Sequence, residues 1–456
     1  MRKPLLSLVI VLLLSLTLAA CGGGEEGTTT AETPDASPAA GPVDIDFWHS
    51  EAARNQDAIN RRVDRFNASQ NEVRVHASYQ GSYSDTMAKL VASLPTGNVP
   101  AVALLESYYM QMVIDSGGAT PIQDFVDRDD YDLSDLDEKG VESYTSQGKL
   151  WAMGLGSGVP LLYYNKVVFR EVGLDPERPP RDLEEVRQYS QKILKRDAAG
   201  NVVRSGIALD IQEWVTEKAD LLVDNDNGHD GRATKVVFNN DTSRWFFQWW
   251  HDMVDEGLAF NIGRNLAYAE GFKAIVSGRA AMTISYAGAL RSVIDAFGAG
   301  QQNVEIGISP LPGVPGGTGQ AGFSTFGLWI LNVRPKDEQE AAWKFIKWLM
   351  EPEQQAEWFA GSGYLPVSRS AVNLQVAQDI VAHYPAFQVA IDLYLNTPAN
   401  PGTEGAVLGP FEKVREAIYR GVEEMLSGVK DPDQALEDAA ANANQAIDEY
   451  NRRVEE

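Results

Sequence analysis

Apolar positions along this chain keep two rhythms in turn. Val43 to Phe47 alternates residue by residue, as a strand with one buried face does, and Val73 to Tyr79 follows as a second strand. Between them Ile59, Val63 and Phe66 mark one face of a helix. Met87, Leu90, Val91 and Leu94 recur at i, i+3, i+4 and i+7, an amphipathic helix that Pro95 and Gly97 close. Ala101 to Leu105 is unbroken apolar sequence, the mark of a strand covered on both faces of a parallel sheet. Strands alternating with helices predict βα units, hence an α/β lobe.

A glycine-spaced stretch, Gly154, Gly156 and Gly158, then leads into Val159 to Tyr164, a run too short for a helix and rich in strand formers. Three glycines there tolerate unusual dihedrals and close approach, so the stretch reads as a passage from one lobe to another. Beyond it, Asp182-Leu-Glu-Glu185 is a capping box opening a helix whose closing charges are Lys192, Lys195 and Arg196. Ser205 to Leu209 and Ala280 to Tyr286 read as strands, with a helix at Phe272 to Gly278. Trp245, Phe246, Trp249, Trp250, Met253 and Val254 repeat at helical spacing and read as core rather than as a ligand platform. Residues 310 to 322 break every period with Gly and Pro, then Phe326 to Leu331 resumes as a strand, which predicts a return crossing. The remainder is helical from Lys336, with Pro352 in a first turn and last helices at about 410–427 and 433–453. The expected division is 43–155 plus 305–350 for one lobe and 156–304 plus 351–456 for the other.

The N-terminus changes this picture of a free globular chain. Arg2 and Lys3, the apolar run Leu5 to Leu18 and the small-residue site ending at Cys21 predict a signal peptide over 1–20. Its apolar run is too short for a retained membrane helix. Cys21 is the only cysteine, so no intramolecular disulfide forms. Its position resembles a bacterial lipobox, which implies a lipidated Cys21 followed by a Gly/Thr/Ala/Pro tether over 21–42. The formal charge of −25 becomes −27 once Arg2 and Lys3 leave with the leader, a balance that disfavours nucleic acid and anionic lipid surfaces.

Catalytic signatures do not emerge. Walker A, G-x-S-x-G and G-x-G-x-x-G are absent. Asp224 to Gly231 invites a calcium-loop reading, but an EF-hand begun at Asp226 puts Gly228 at a ligand position and Val237 where the bidentate glutamate belongs. A polar turn is expected instead. The five histidines show no metal-ligand spacing, so neither metal nor cofactor is expected. Carboxylate pairs among 64 acidic residues leave an exported glycan hydrolase as the rival from another class.

A family likeness rests on an ordered set of motifs. Val159-Pro-Leu-Leu-Tyr-Tyr-Asn-Lys166, Val172-Gly-Leu-Asp-Pro176 and Pro179-Pro180 come first, then Gly278-Arg-Ala-Ala-Met-Thr283. Trp343 to Met350 with Pro352-Glu353, and Gly363-Tyr-Leu-Pro366, complete it. This set resembles the extracellular solute-binding lipoproteins (family 1) of ABC importers, with most likeness to the sn-glycerol-3-phosphate, glycerophosphodiester and sugar-binding members. The resemblance implies the two-lobed type II periplasmic-binding-protein fold, with a small ligand held in the cleft between the lobes. It further implies no enzymatic activity, a monomer, delivery to permease subunits with their ATPase, and an extracytoplasmic location held to the membrane through the lipid anchor alone.

Carried over residue by residue, the family's pocket falls on Tyr83, Glu106, Ser157, Trp214 and Tyr364, to which Trp48 at the end of the first strand is added. Three positions depart from the pattern. Tyr286-Ala287 stands where a serine is expected and Ser324-Thr325 where a glycine is expected. Val407 stands where phosphate-binding members carry arginine. The expected ligand is therefore a sugar or oligosaccharide, with glycerol 3-phosphate or a glycerophosphodiester as the alternative. Arg264 or Arg369 reaching the cleft would restore the phosphate reading.

Overall fold

Val43–His49 (β1), Val73–Tyr79 (β2) and Val102–Glu106 (β3) are strands, joined by helices Ala53–Ser69 (α1) and Tyr83–Ser93 (α2), as the alternating pattern predicts. This is a computed structural model, and it describes residues 41–210, 221–264, 270–298, 303–315 and 323–455. Ser82 and Asp85 cap each other's backbone at the start of α2. Gly97, at φ 70°, ends the turn that follows, a conformation cheap only for glycine. Helix Met110–Asp115 (α3) follows β3, and Ala119–Thr120 (β4) is a short edge strand. Then come Met153–Gly158 (β5), Pro160–Asn165 (β6), Val202–Leu209 (β7), Ala259–Asn261 (β8) and Ala280–Tyr286 (β9). Ile306–Pro310 (β10) and Ser324–Leu331 (β11) complete the set.

These strands build two sheets of one plan. The first runs β2-β1-β3-β11-β4, with β5 also on β11, and the second runs β8-β7-β9-β6-β10. In each, three parallel strands meet an antiparallel strand that the chain reaches by crossing from the other sheet. Only Val159, fully buried, separates β5 in the first sheet from β6 in the second.

Three expectations need correction here. The glycine stretch is itself a strand, with no residue at positive φ. Its glycines are there for close approach: a Cβ on Gly156 would lie 2.6 Å from the Trp358 indole nitrogen, and one on Gly154 3.0 Å from the Gly140 carbonyl. Glycine in a strand costs roughly 0.5–1 kcal/mol each, which burial of Met153 and Leu155 offsets at roughly 1.5–3 kcal/mol each. The boundary at residue 305 is also displaced. β10 pairs along β6, Ile306 opposite Asn165 through Pro310 opposite Leu161, so the return crossing lies after Pro310. Lys195 and Arg196 form a two-residue strand on β7 rather than a last helical turn, since Leu183–Ile193 (α4) has already ended.

The core follows period two. On β6, Leu162 and Tyr164 enter one apolar cluster of the second lobe, while Leu161 and Tyr163 enter another on the opposite face. Helix Asp241–Asp255 (α5) buries Phe246, Trp249 and Trp250 in the former, as the helical spacing predicts. Helix Leu290–Gly298 (α6) follows β9. Lys336–Met350 (α7) covers the first sheet with Trp343 and Phe345. Pro352–Ser362 (α8) serves both lobes: Trp358 enters the first core, while Ala356 and Phe359 enter the second. Ala386–Asn396 (α9), Phe411–Leu426 (α10) and Pro432–Glu455 (α11) complete the second lobe. Asp224 to Gly231 is a turn with Asn225, Asp226 and Asn227 at positive φ, and Gly228 fits against the Val407 carbonyl.

Candidate functional site

The carboxyl ends of β1 and β3, with the turn after α8, bring four polar groups together. The chain leaves β1 through Ser50 and Glu51, and the Glu51 side chain is buried. Tyr83, placed by the capped start of α2, donates its hydroxyl to Glu51, which also accepts from Asn55 Nδ2 at 2.7 Å. Burial pushes the Glu51 carboxyl above its ordinary range, against the pull of Tyr83 and Asn55. Burial, then the nearby Glu51, Tyr364 and Glu106, push the Tyr83 phenol well up. Glu106 ends β3, where it pairs with Phe326 of β11. Its Oε2 is sealed from water and has no hydrogen-bond partner among the described residues. Burial raises its pKa to about 8, with Glu412 and Glu51 adding to the shift and Arg415 opposing it.

Tyr364 closes this group from the other side. Gly363 turns the chain at φ 87°, and the Tyr364 ring then stands edge-on to Phe326 at 4.5 Å and nearly parallel to Trp358 at 5.9 Å. Gly288, just past β9 in the second lobe, lies under that ring; a Cβ there would come within 2.9 Å of Tyr364 Cε1.

A second set of contacts, which the sequence reading missed, joins the lobes beside Glu106. Tyr108 stacks on Phe411 of α10 at 4.6 Å, with the Arg415 guanidinium 5.2 Å from its ring centre. Tyr109 donates to Glu412 at 2.7 Å, and Arg415 pairs with Glu412 at 2.6 Å. Burial works against the Arg415 charge, but Tyr419, Glu412 and Glu106 around it hold its pKa above the ordinary range.

The other sequence-predicted residues are placed as follows. Trp48 is half-buried on the face of β1 opposite Phe47 and His49. Ser157 is fully buried, tied by its backbone to Leu365 at 2.9 Å in both directions, with the Tyr394 hydroxyl beside its side chain. It belongs to the crossing and not to the tyrosine–carboxyl group. Tyr286 ends β9, and its carbonyl accepts from Tyr163 at 2.9 Å. Ser324 pairs with Gly158 through the backbone. Trp214 and Cys21 lie outside the described residues.

Nor do the arginines named as alternatives stand idle. Arg264 grips Glu416 and Glu423, Arg369 lies 3.3 Å from Asp137, and Val407 is buried in the first core with its N–H on the Asn227 carbonyl.

Sequence comparison decides the family. The profile described as bacterial extracellular solute-binding protein matches residues 61–389. The chain belongs to this family. The sn-glycerol-3-phosphate-binding periplasmic protein UgpB of Pectobacterium atrosepticum is 29% identical over 413 residues, covering 88% of this chain and 90% of that protein. Among solved structures, the cyclic alpha-maltosyl-1,6-maltose binding protein from Arthrobacter globiformis superposes with a TM-score of 0.70 at 23% identity. It covers 89% of this chain and 99% of its own. UgpB from Mycobacterium tuberculosis in complex with glycerophosphocholine gives 0.70 at 21% identity, covering 90% and 99%. The fold is thus the two-lobed one of periplasmic binding proteins. The protein is a solute-binding protein of an ABC importer, and its relatives are binding proteins rather than enzymes.

The raised Glu106 pKa has a consequence in this solute-binding protein. A carboxyl with an ordinary pKa of 4.5 unfolded and about 8 folded takes up a proton on folding at pH values between the two. Its contribution to stability therefore falls as pH rises across that window. Urea midpoints measured from about pH 5 to about pH 8.5 should decline more steeply for the native chain than for Glu106→Gln. Parallel declines would show that Glu106 ionises in the folded state as it does in the unfolded one.

Proposed function

We propose that this protein captures an uncharged polyhydroxylated ligand, a sugar or short oligosaccharide, in the interlobe cleft and hands it to its permease. The observation that carries the reading is Glu106. Its buried Oε2 has no partner among the described residues, and Tyr83 lies near enough to feel both Glu106 and Tyr364. A buried oxygen of this kind costs about 1–3 kcal/mol until a donor reaches it, and a ligand hydroxyl is such a donor. Tyrosine faces suit the apolar face of a sugar ring, and Glu51 supplies a second polar anchor. The family likeness adds Trp48, Trp214 and Tyr286 as aromatic candidates, with Ser157 and Ser324 as polar ones.

Glycerol 3-phosphate or a glycerophosphodiester is the second reading, favoured by Arg415 near Glu106 and by what the UgpB relatives bind. Calorimetry of the mature chain against sugars, polyols and glycerophosphodiesters tests both. Saturable binding of an unaltered saccharide, weakened about tenfold or more by Tyr83→Ala, supports the first. Binding confined to the phosphodiesters overturns it.

The leader over 1–20 is removed in this reading, Cys21 is lipidated, and the protein works as a tethered monomer outside the cytoplasm. Cys21→Ser should release it from the membrane fraction with unfolding unchanged, since the Gly/Thr/Ala/Pro sequence that follows Cys21 carries too few apolar groups to join a core. Full retention in membranes after that change would exclude lipid anchoring.

A further inference from the structure

A basic pocket opens where α1 of the first lobe, α6 of the second and the shared helix α8 meet. Its volume is about 430 Å³, and Arg54, Arg61, Arg291, Glu357, Ala360 and Gly361 line it. None of these residues belongs to the tyrosine–carboxyl group of the cleft. In a chain of charge −25, such a gathering of arginines calls for a counter-charge.

The acids nearby do not supply enough. Glu357 is held by Arg65, and Asp295 takes one amino group of Arg54 at 3.3 Å. The other, Arg54 Nη1, is sealed from water with no hydrogen-bond partner among the described residues. A buried unpaired donor of a charged group is costly, and an anion within reach would supply the missing acceptor. Arg291 donates to the Ala360 carbonyl across the pocket floor. Arg61 is exposed at its rim, and its Nη2 lies 3.5 Å from the point where a Cβ on Gly361 would sit. Behind them Arg62, buried over the Trp358 ring, has its pKa lowered to about 9 by burial and by its neighbours Arg61 and Arg65. An anion in the pocket relieves that repulsion.

We infer that this pocket binds a small tetrahedral oxyanion, phosphate or sulfate, between Arg54, Arg61 and Arg291. Because α1 and α6 belong to different lobes, such an anion favours the arrangement in which Arg54 meets Asp295. By linkage, occupation of the cleft in that arrangement strengthens anion binding by the same factor that the anion strengthens cleft binding.

The test is calorimetric titration of the mature chain with inorganic phosphate at low salt, with sulfate as competitor. Saturable binding that sulfate displaces is expected. It should weaken about tenfold in Arg61→Gln and further in Arg54→Gln/Arg61→Gln, since each guanidinium supplies charge-assisted hydrogen bonds. Arg61 is exposed, so its variant keeps the fold, which circular dichroism verifies. Tyr83→Ala should leave the phosphate isotherm unchanged. Absence of saturable binding overturns the inference. So does binding that survives both arginine variants and disappears with Tyr83→Ala, which would place the phosphate in the cleft.

Discussion

Replacing Asp137 with alanine is expected to cost about 3–5 kcal/mol of folding stability, the largest effect of any single substitution considered. Asp137 is fully buried, and its carboxylate meets the ammonium of Lys139 at 2.8 Å, with the lysine side chain only 3% exposed. It also caps its own helix by accepting from the Lys139 backbone at 3.1 Å, and Arg369 approaches to 3.3 Å. The Lys139 ammonium sits over the Tyr394 ring at 4.7 Å and over Phe323 at 6.0 Å. Alanine would leave that ammonium in an aromatic enclosure without its carboxylate. In a buried pair the desolvation of two charges offsets most or all of the Coulomb attraction, but loss of one partner leaves the whole penalty of the other.

The Lys139→Met partner change separates these contributions. Asp137→Leu/Lys139→Met should recover most of the loss, because apolar groups of like volume replace a buried pair at little net cost. Urea unfolding of the three variants measures it. A cost below about 1 kcal/mol for Asp137→Ala would mean that water reaches Lys139. The site matters beyond stability. Asp137 also donates its backbone N–H to the Val367 carbonyl, two residues beyond the Leu365 that ties to Ser157, so the pair stiffens the crossing between the sheets.

What sequence made legible here follows from the range of each signal. Local periodicity found β1, β2, β3, β6, β7 and β9, the capped α4 and the buried stripe of α5, because each is written within a window of some fifteen residues. It passed over β10, whose Ile-Gly-Ile-Ser-Pro is too short and too broken by Gly and Pro to show alternation. It took β5 for a crossing rather than a strand because three glycines interrupt its apolar pattern; what selects Gly156 is Trp358, about two hundred residues away, and what selects Gly154 is the Gly140 carbonyl. Tyr83, Glu106 and Tyr364 came from family likeness at strand and helix ends, and the structure sets them together. Glu51 was not foreseen, although it follows the same strand-end rule as Glu106. Tyr109 and Glu412 lie 303 residues apart in sequence, and nothing on an acidic amphipathic helix distinguishes Glu412 from its neighbours before the lobes are brought together. The reverse holds for Ser157, whose motif position is clear but whose side chain the fold has turned toward Tyr394.

Neutral saccharides are expected to occupy the cleft at least about tenfold more tightly than glycerol 3-phosphate. A phosphate dianion gives up water worth several kcal/mol and needs paired, charge-assisted donors in exchange. Val407 provides none, being buried in the first core with its N–H already bonded to Asn227. Arg264 is committed to two glutamates and Arg369 to Asp137. Arg415 is a cation whose charge reaches Glu106, but it shares that charge with Glu412. Against it stand Glu51 and Glu106, two carboxyls that a dianion would repel once ionised. At neutral pH Glu106, with its pKa near 8, keeps its proton and offers a hydroxyl both a donor and an acceptor. Raising the pH through about 8 ionises it, which should weaken glycerol 3-phosphate further while a sugar still finds an acceptor. The measurement is a competition titration at low salt between a bound saccharide and glycerol 3-phosphate, run in Arg54→Gln/Arg61→Gln so that the arginine pocket contributes least. Displacement by glycerol 3-phosphate at about 1 μM, with no saccharide able to displace it in return, would show that Arg415 alone suffices to hold the phosphate.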